Sequence, residues 1–319
     1  MAISYPESIV VGALQGVSEL FPVSSLGHSI LLPAWIGGQW SRDLDMSAPN
    51  SPYLALLVAM HVATALALVI FFRRDWIRIV GGLWEAVRIR EIRTAEARLG
   101  VLLIVATIPV GLAGLLLEKA VRNYLGTPVP TSIFLILNGF VLLSAELMRK
   151  RAVPERIATP TGHRTDLRFD DTVVLPVVNP ELHSDLRLSQ LGIKDALLIG
   201  SAQIAALFPG ISRSGSTIVA GLFKGLNHED AARFAFLLAT PVIFAAGVLK
   251  VPELFKPEHH DILGPALAGS IVAGVLSYLS IKFLVAYFET KTLTPFAVYC
   301  LVAGIGSLAL FGIRSATAG

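Results

Sequence analysis

The sequence predicts an all-α, polytopic membrane protein with an inverted internal repeat: six full spans plus two re-entrant helical hairpins. Three observations predict it. First, 54% of the 319 residues are hydrophobic and only 15% are charged, whereas about a quarter of residues are charged in an average soluble domain. Second, the apolar residues fall in long runs, 53–72, 99–117, 131–147, 231–249, 262–288 and 293–313. Each is close to the roughly 20 residues that cross a bilayer as a helix. A large soluble helical core would need polar faces at helical periodicity, and these runs lack them. Third, two polar segments lie inside apolar sequence: Gln15-Gly16-Val17-Ser18-Glu19-Leu20-Phe21-Pro22-Val23-Ser24-Ser25-Leu26-Gly27-His28 and Gln203-Ile204-Ala205-Ala206-Leu207-Phe208-Pro209-Gly210-Ile211-Ser212-Arg213-Ser214-Gly215. Each has a Gln, then Leu-Phe-Pro, then Ser-x-x-Gly.

The elements follow in order. Residues 1–6 have no Lys or Arg and no clean cleavage site follows, so no cleavable signal is expected. Segments 7–20 and 26–37 are each too short to cross, and Pro22 stands between them. They read as a helix that enters part way, breaks and returns. Such a break is tolerated at membrane depth only where protein or a wet cavity covers the freed backbone groups. The span 53–72 contains His61, read as a satisfied interior histidine. The connection 73–98 carries Arg73, Arg74, Arg78, Arg88, Arg90, Arg93 and Arg98, and Arg73-Arg74-Asp75-Trp76 reads as an interface anchor. Two spans later, 149–194 carries Arg149, Lys150, Arg151, Arg156, Arg164, Arg168, Arg187 and Lys194. The positive-inside rule puts both connections in the cytoplasm, and 118–130 and 252–261 outside. Four prolines and mixed charges make 149–194 a solvated loop, and its Asp170-Asp171 pair has no rigid frame for a metal. Segments 195–208 and 214–226 repeat the broken-helix pattern around Pro209. The lone cysteine, Cys300, reads as a small core residue.

The two hairpins enter from opposite sides. Leu57-Val58-Ala59-Met60-His61-Val62 resembles Leu237-Leu238-Ala239-Thr240-Pro241-Val242 at nearly the spacing that separates Pro22 from Pro209. The chain therefore divides into a first repeat of about 1–148, a cytoplasmic loop of about 149–194 and a second repeat of about 195–319, all one integral membrane domain. Inverted repeats place their site at the repeat interface, where broken helices meet. The net charge of +3 is small, and no nucleic-acid partner is expected.

Gln15 and Glu19 are four apart and share a helix face. Ser24 is placed as an N-cap, with Ser25 opening the next helix and His28 one turn further on. A hydroxyl, an imidazole and a carboxylate thus come within reach of each other, beside helix-start N–H groups that favour an anion. In the second hairpin, Ser212, Ser214 and Gly215 open a helix whose N–H groups and hydroxyls suit phosphate oxygens, and Arg213 adds a planar fork of donors. The pair predicts phosphoryl transfer, with Ser25, His28 or a water as nucleophile. A buried Glu19–Arg213 salt bridge is the structural alternative. Gln203 reads as interhelical glue.

At these residues the chain resembles the undecaprenyl-diphosphate phosphatase family linked to bacitracin resistance. The likeness covers nearly the whole chain, and Glu19-Leu20-Phe21-Pro22-Val23-Ser24-Ser25-x-Gly27-His28 and Pro209-Gly210-x-Ser212-Arg213-Ser214-Gly215 look like its two signature motifs. The resemblance implies hydrolysis of undecaprenyl diphosphate to the monophosphate and phosphate, which recycles the lipid carrier of cell-wall synthesis. It implies a multi-pass protein of the bacterial cytoplasmic (inner) membrane with its site facing outward. Carried over, Glu19 is the essential acid, Ser25 and His28 the catalytic pair, and Arg213 the diphosphate ligand flanked by Ser212 and Ser214. The family also implies Mg²⁺ or Ca²⁺, which Glu19 and Gln15 would hold. Where the family commonly has two glutamates four apart, this chain has Gln15, which cannot balance a divalent charge. A homodimer is a candidate assembly. A secondary transporter or lipid translocase for a phosphate-bearing substrate is the rival from another class.

Overall fold

A computed structural model describes residues 3–46, 51–152 and 180–317. Every regular element among them is helical. Six helices are long and apolar enough to cross a membrane: Pro52–Phe71, Ala95–Leu117, Pro128–Arg149, His228–Gly247, His260–Thr290 and Thr294–Arg314. They correspond one for one to the six apolar runs, so the protein is an all-α, polytopic membrane protein.

The first broken segment forms α1 (Tyr5–Ser18) and α2 (Ser25–Ile36). Helix α1 begins with a capping box, in which Ser4 accepts from the Glu7 N–H and Glu7 reaches back to the Ser4 N–H. After the short α3 (Gly38–Asp43) come α4 (Pro52–Phe71), α5 (Arg73–Ile89), α6 (Ala95–Leu125) and α7 (Pro128–Ala152). Past the loop lie α8 (Pro180–Ser189) and α9 (Ile193–Ala202), which tightens into a 3₁₀ turn, Gln203–Leu207. Then follow α10 (Arg213–Phe223), α11 (His228–Leu254), α12 (Leu263–Thr290) and α13 (Thr294–Thr317).

Small residues set the depth of the two broken segments. Helix α1 lies along α12, with Tyr5 at Gly264, Ser8 donating to the Pro265 carbonyl at 2.5 Å, Gly12 on Gly269 and Gly16 on Ala273. A side chain at Gly12 would collide with the Gly269 carbonyl, so this approach requires glycine. Gly16 thus reaches only the middle of α12. Helix α9 packs along α6 in the same way, with Gly200 on Ala106. The two short segments open toward opposite ends of the 27-residue α11. Ile3, ahead of α1, shares an apolar cluster with Leu254 at the C-terminal end of α11 and with Ile262 beyond it. At its other end Lys224, after α10, is 2.9 Å from Asp195 in the first turn of α9.

Helix extends into three of the connections. Most of 118–130 is helix, because α6 runs on to Leu125. Part of 73–98 is α5, which buries Asp75 and Ile79 while exposing Ile77, Val80, Trp84 and Val87 at helical spacing. A charged helix with such an apolar stripe suits an interface plane. The last part of 149–194 is not plain solvated loop. Helix α8 packs on α6 and α11, where buried Asp185 lies 2.7 Å from Arg233 and 3.3 Å from Arg78. Arg187 holds Asp230 at 2.5 Å. Asp170-Asp171 lies outside the described residues.

Candidate functional site

Asn138, halfway along α7, ties the two break points together. Its Nδ2 donates to the Pro22 carbonyl at 3.0 Å, and its Oδ1 accepts from the Ser212 N–H at 3.0 Å. Ser24 makes a second tie. Its hydroxyl oxygen accepts from the Gly27 N–H that it caps and from the Gly210 N–H of the other segment, both at 3.2 Å. Ser24 does this at φ 70°, a left-handed backbone that costs a non-glycine residue roughly 1–3 kcal/mol and is typical of functional sites. A third tie runs from the Ser214 hydroxyl to the Phe21 carbonyl at 3.2 Å. The tips of two chain-distant helix pairs are thereby fixed against each other.

Between them lies a cavity of about 300 Å³, lined by Glu19, Ser24, Ser25, Ser212, Arg213, His61 and Gln203 and by apolar side chains of α4 and α11, among them Leu54, Leu57, Val58, Val242 and Ile243. Glu19 is its centre. Its Oε1 accepts from Arg213 Nη2 at 2.6 Å. Its Oε2 accepts from the Ser25 hydroxyl in a short bond, and from Gln15 Nε2 at 3.0 Å. His61 Nε2 lies 3.3 Å from the same oxygen. The structural alternative, a Glu19–Arg213 ion pair, is thus present, but on the wall of a cavity. Pairing there positions the groups as well as neutralising them, and charge-assisted bonds of this kind are about twice as strong as neutral ones.

The sequence candidates divide. Glu19, Ser24, Ser25, Ser212 and Arg213 line the cavity, and Gln15 supports Glu19 from behind. Ser214 and Gly215 do not line it: Ser214 bonds Ser212 at 3.1 Å, and the Gly215 N–H is taken by the Ser212 hydroxyl at 3.1 Å. His28 is turned away. Its Nδ1 is 2.7 Å from the Ser24 carbonyl and its Nε2 2.7 Å from the Tyr299 hydroxyl on α13, with the rings stacked 5.6 Å apart. The expected Ser25–His28 pair is therefore not formed, because both imidazole nitrogens are engaged elsewhere. The histidine beside Ser25's partner is His61, read from sequence as an interior residue. Its Nδ1 faces the Leu57 carbonyl at 2.7 Å, which points Nε2 at Glu19. Gln203 donates to the Gly200 carbonyl in the preceding turn of α9 instead of bridging helices.

The donor set does not suit the divalent ion that the family resemblance implies. Mg²⁺ and Ca²⁺ need several oxygen ligands. Here the one carboxylate is already met by a guanidinium, an amide N–H₂, a hydroxyl and an imidazole. Gln15 directs its amide nitrogen at Glu19, since its oxygen there would face another acceptor. That oxygen is buried without a partner, but Gln15 does not line the cavity. Among the described residues, no group of three or more His, Cys, Asp and Glu could hold a metal.

A hydroxyl bonded to a carboxylate, beside a guanidinium and under apolar walls, defines an integral membrane protein with an anion-accepting site for an amphipathic substrate. Comparison with known proteins is consistent with that class. The family profile described as "Bacitracin resistance protein BacA" matches residues 8–306, and the chain belongs to this family. It is 54% identical, over 98% of its length and 99% of the relative's, to a protein named "Undecaprenyl-diphosphatase" in Mycolicibacterium paratuberculosis. It is 48% identical to "Undecaprenyl-diphosphatase 1" of Frankia casuarinae, over 97% of this chain and 99% of the relative. It is 39% identical to "Undecaprenyl-diphosphatase 2" of Chromobacterium violaceum, over 95% and 97%.

Proposed function

We propose that this protein is an undecaprenyl-diphosphatase, a membrane hydrolase that converts undecaprenyl diphosphate to undecaprenyl phosphate and phosphate. The observation that carries this reading is the Ser25–Glu19–Arg213 chain of contacts across the two helix-break tips, in a chain whose relatives carry that name over nearly their full length. The helix pairs α1–α2 and α9–α10 act as re-entrant hairpins of an inverted repeat. The headgroup enters from the outer side of the cytoplasmic membrane, and the prenyl tail lies along the apolar residues of α4 and α11.

Arg213 and the first turn of α10 receive the diphosphate, where a guanidinium and helix-start N–H groups offset its charge. Ser25 Oγ attacks the terminal phosphorus while its proton passes to Glu19 Oε2. The bond to the bridging oxygen breaks, and undecaprenyl phosphate leaves with both electrons of that bond and with the proton that Glu19 took from Ser25, which returns Glu19 to its carboxylate form. Water, deprotonated by Glu19, then releases phosphate from the seryl ester, and the proton returns to Ser25. Positioning and charge neutralisation supply most of the acceleration. His28 takes no part in the transfer and fixes α2 to α13.

Purified protein in detergent, given a polyprenyl diphosphate, should release inorganic phosphate. A transporter would release none without a sealed membrane, and a preparation that is folded but releases none would overturn the reading.

A further inference from the structure

The mismatch between Glu19's surroundings and a divalent ion has a consequence for the reaction. An ion in this site would have to share Oε1 with the Arg213 guanidinium or displace donors from the crowded Oε2. Oε1 is bonded to Arg213 at 2.6 Å, and Oε2 carries Gln15, Ser25 and His61. The incoming charge would also stand beside a guanidinium, where like charges repel. The position that would make a second carboxylate on the same helix face is the neutral Gln15, so the site has one negative side chain to share. His61 reaches in from α4, a different part of the chain, and its ring is fixed by the Leu57 carbonyl, so its contact with Glu19 is not an accident of a mobile side chain.

We infer that this protein holds its catalytic carboxylate with side chains in place of a metal: His61, Arg213 and Gln15 occupy the oxygens of Glu19 that a divalent ion would take, and hydrolysis proceeds without one. His61 is the added element. It acts through Glu19 as a positioning residue, keeping Oε2 directed at the Ser25 hydroxyl. The inference rests on the phosphatase reading, but makes a statement about metal that can be tested apart from it.

Two measurements on the purified full chain in detergent decide it. In the first, phosphate release from a polyprenyl diphosphate is compared after EDTA treatment and with Mg²⁺ or Ca²⁺ restored. The rates should agree within about twofold, whereas a tenfold or greater fall in EDTA, reversed by either ion, would overturn the inference, since an ion required for Lewis-acid or nucleophile-generating work cannot be removed so cheaply. In the second, Mn²⁺ binding is counted by electron paramagnetic resonance without substrate. No site that depends on Glu19 should appear, and one Mn²⁺ per chain that vanishes in Glu19→Gln would overturn it.

His61 itself is tested by two variants. His61→Ala should lower kcat by about ten- to a hundredfold, the scale of losing correct alignment of a reacting group. His61→Gln, which keeps an N–H within reach of Glu19, should recover most of that loss. Equal loss in both variants, or none in either, would overturn the assignment. If no condition yields phosphate, the phosphatase reading fails, and the Mn²⁺ count still decides how Glu19 is held.

Discussion

Asn138→Leu is the sharpest single perturbation of this fold. The side chain is 1% exposed at mid-span, and leucine has nearly its shape. The substitution therefore removes the Asn138 hydrogen bonds to Pro22, Cys300 and Ser212 with little change in volume. It strands the Ser212 N–H and leaves the Pro22 carbonyl, bonded to Asn138 at 3.0 Å, with only the weak Cys300 thiol donor at 3.8 Å. A buried polar group left unpaired costs about 1–3 kcal/mol, so the variant should lose at least that much stability. Activity should fall further than stability explains. Ser212 precedes Arg213, and Pro22 stands between Glu19 and Ser25, so letting go of both tips misaligns all three groups. A displacement near 1 Å corresponds to about a hundredfold loss of rate. Chemical denaturation in mixed micelles gives the first quantity, and phosphate release from the folded fraction gives the second. Unchanged turnover and unchanged unfolding would refute the claim that Asn138 clamps the two tips.

Other substitutions probe separate parts of the account. Arg213→Ala leaves the buried Glu19 carboxylate without its ion partner, and breaking a buried pair costs about 3–5 kcal/mol; a ligand-free thermal melt should fall, and phosphate release should drop to background. Gly200→Ala drives a methyl into the Ala106 carbonyl and should cost about 1–3 kcal/mol as overpacking; a variant as stable as the parent would deny the close α9–α6 approach. The hydrogen bond from Lys224 lowers the Asp195 carboxyl below its ordinary range. A depressed folded-state value means that this pair contributes stability above the unfolded carboxylate range and loses it as pH falls through the folded value. Wild type should therefore melt above Lys224→Ala at neutral pH and match it in acid, and a gap independent of pH would contradict the pairing.

Much of the fold was legible because its signals are local. Six apolar runs became six spanning helices, and a proline beside serine and glycine marked each break. Ser24 and Ser212 cap their helices as their positions suggested. Glu19, Ser25 and Arg213 stood out because ionisable and hydroxyl groups at such depth demand a reason. What failed was contact at a distance. His28 and His61 each sit on a helix, and sequence does not show which one faces the carboxylate. One turn of helix made His28 look adjacent to Ser25, while His61 reaches Glu19 only because α4 packs across α12 and α11. Asn138 has the same history. A lone amide in an apolar span reads the same whether it bonds its own helix or bridges two others. Helices α5 and α8 were hidden by their charge, which pairs inside the protein as Asp75 and Asp185 do with Arg78 and Arg233.

The central claim is that Ser25, bonded to Glu19 and facing Arg213, attacks the terminal phosphorus. Rapid quenching of turnover in a neutral denaturant, followed by peptide mass spectrometry near neutral pH, tests it directly. The account predicts a phosphoryl group on Ser25 that is absent from Ser25→Ala, together with loss of phosphate release in that variant. A phosphoryl group on His28, or full turnover by Ser25→Ala, would contradict it.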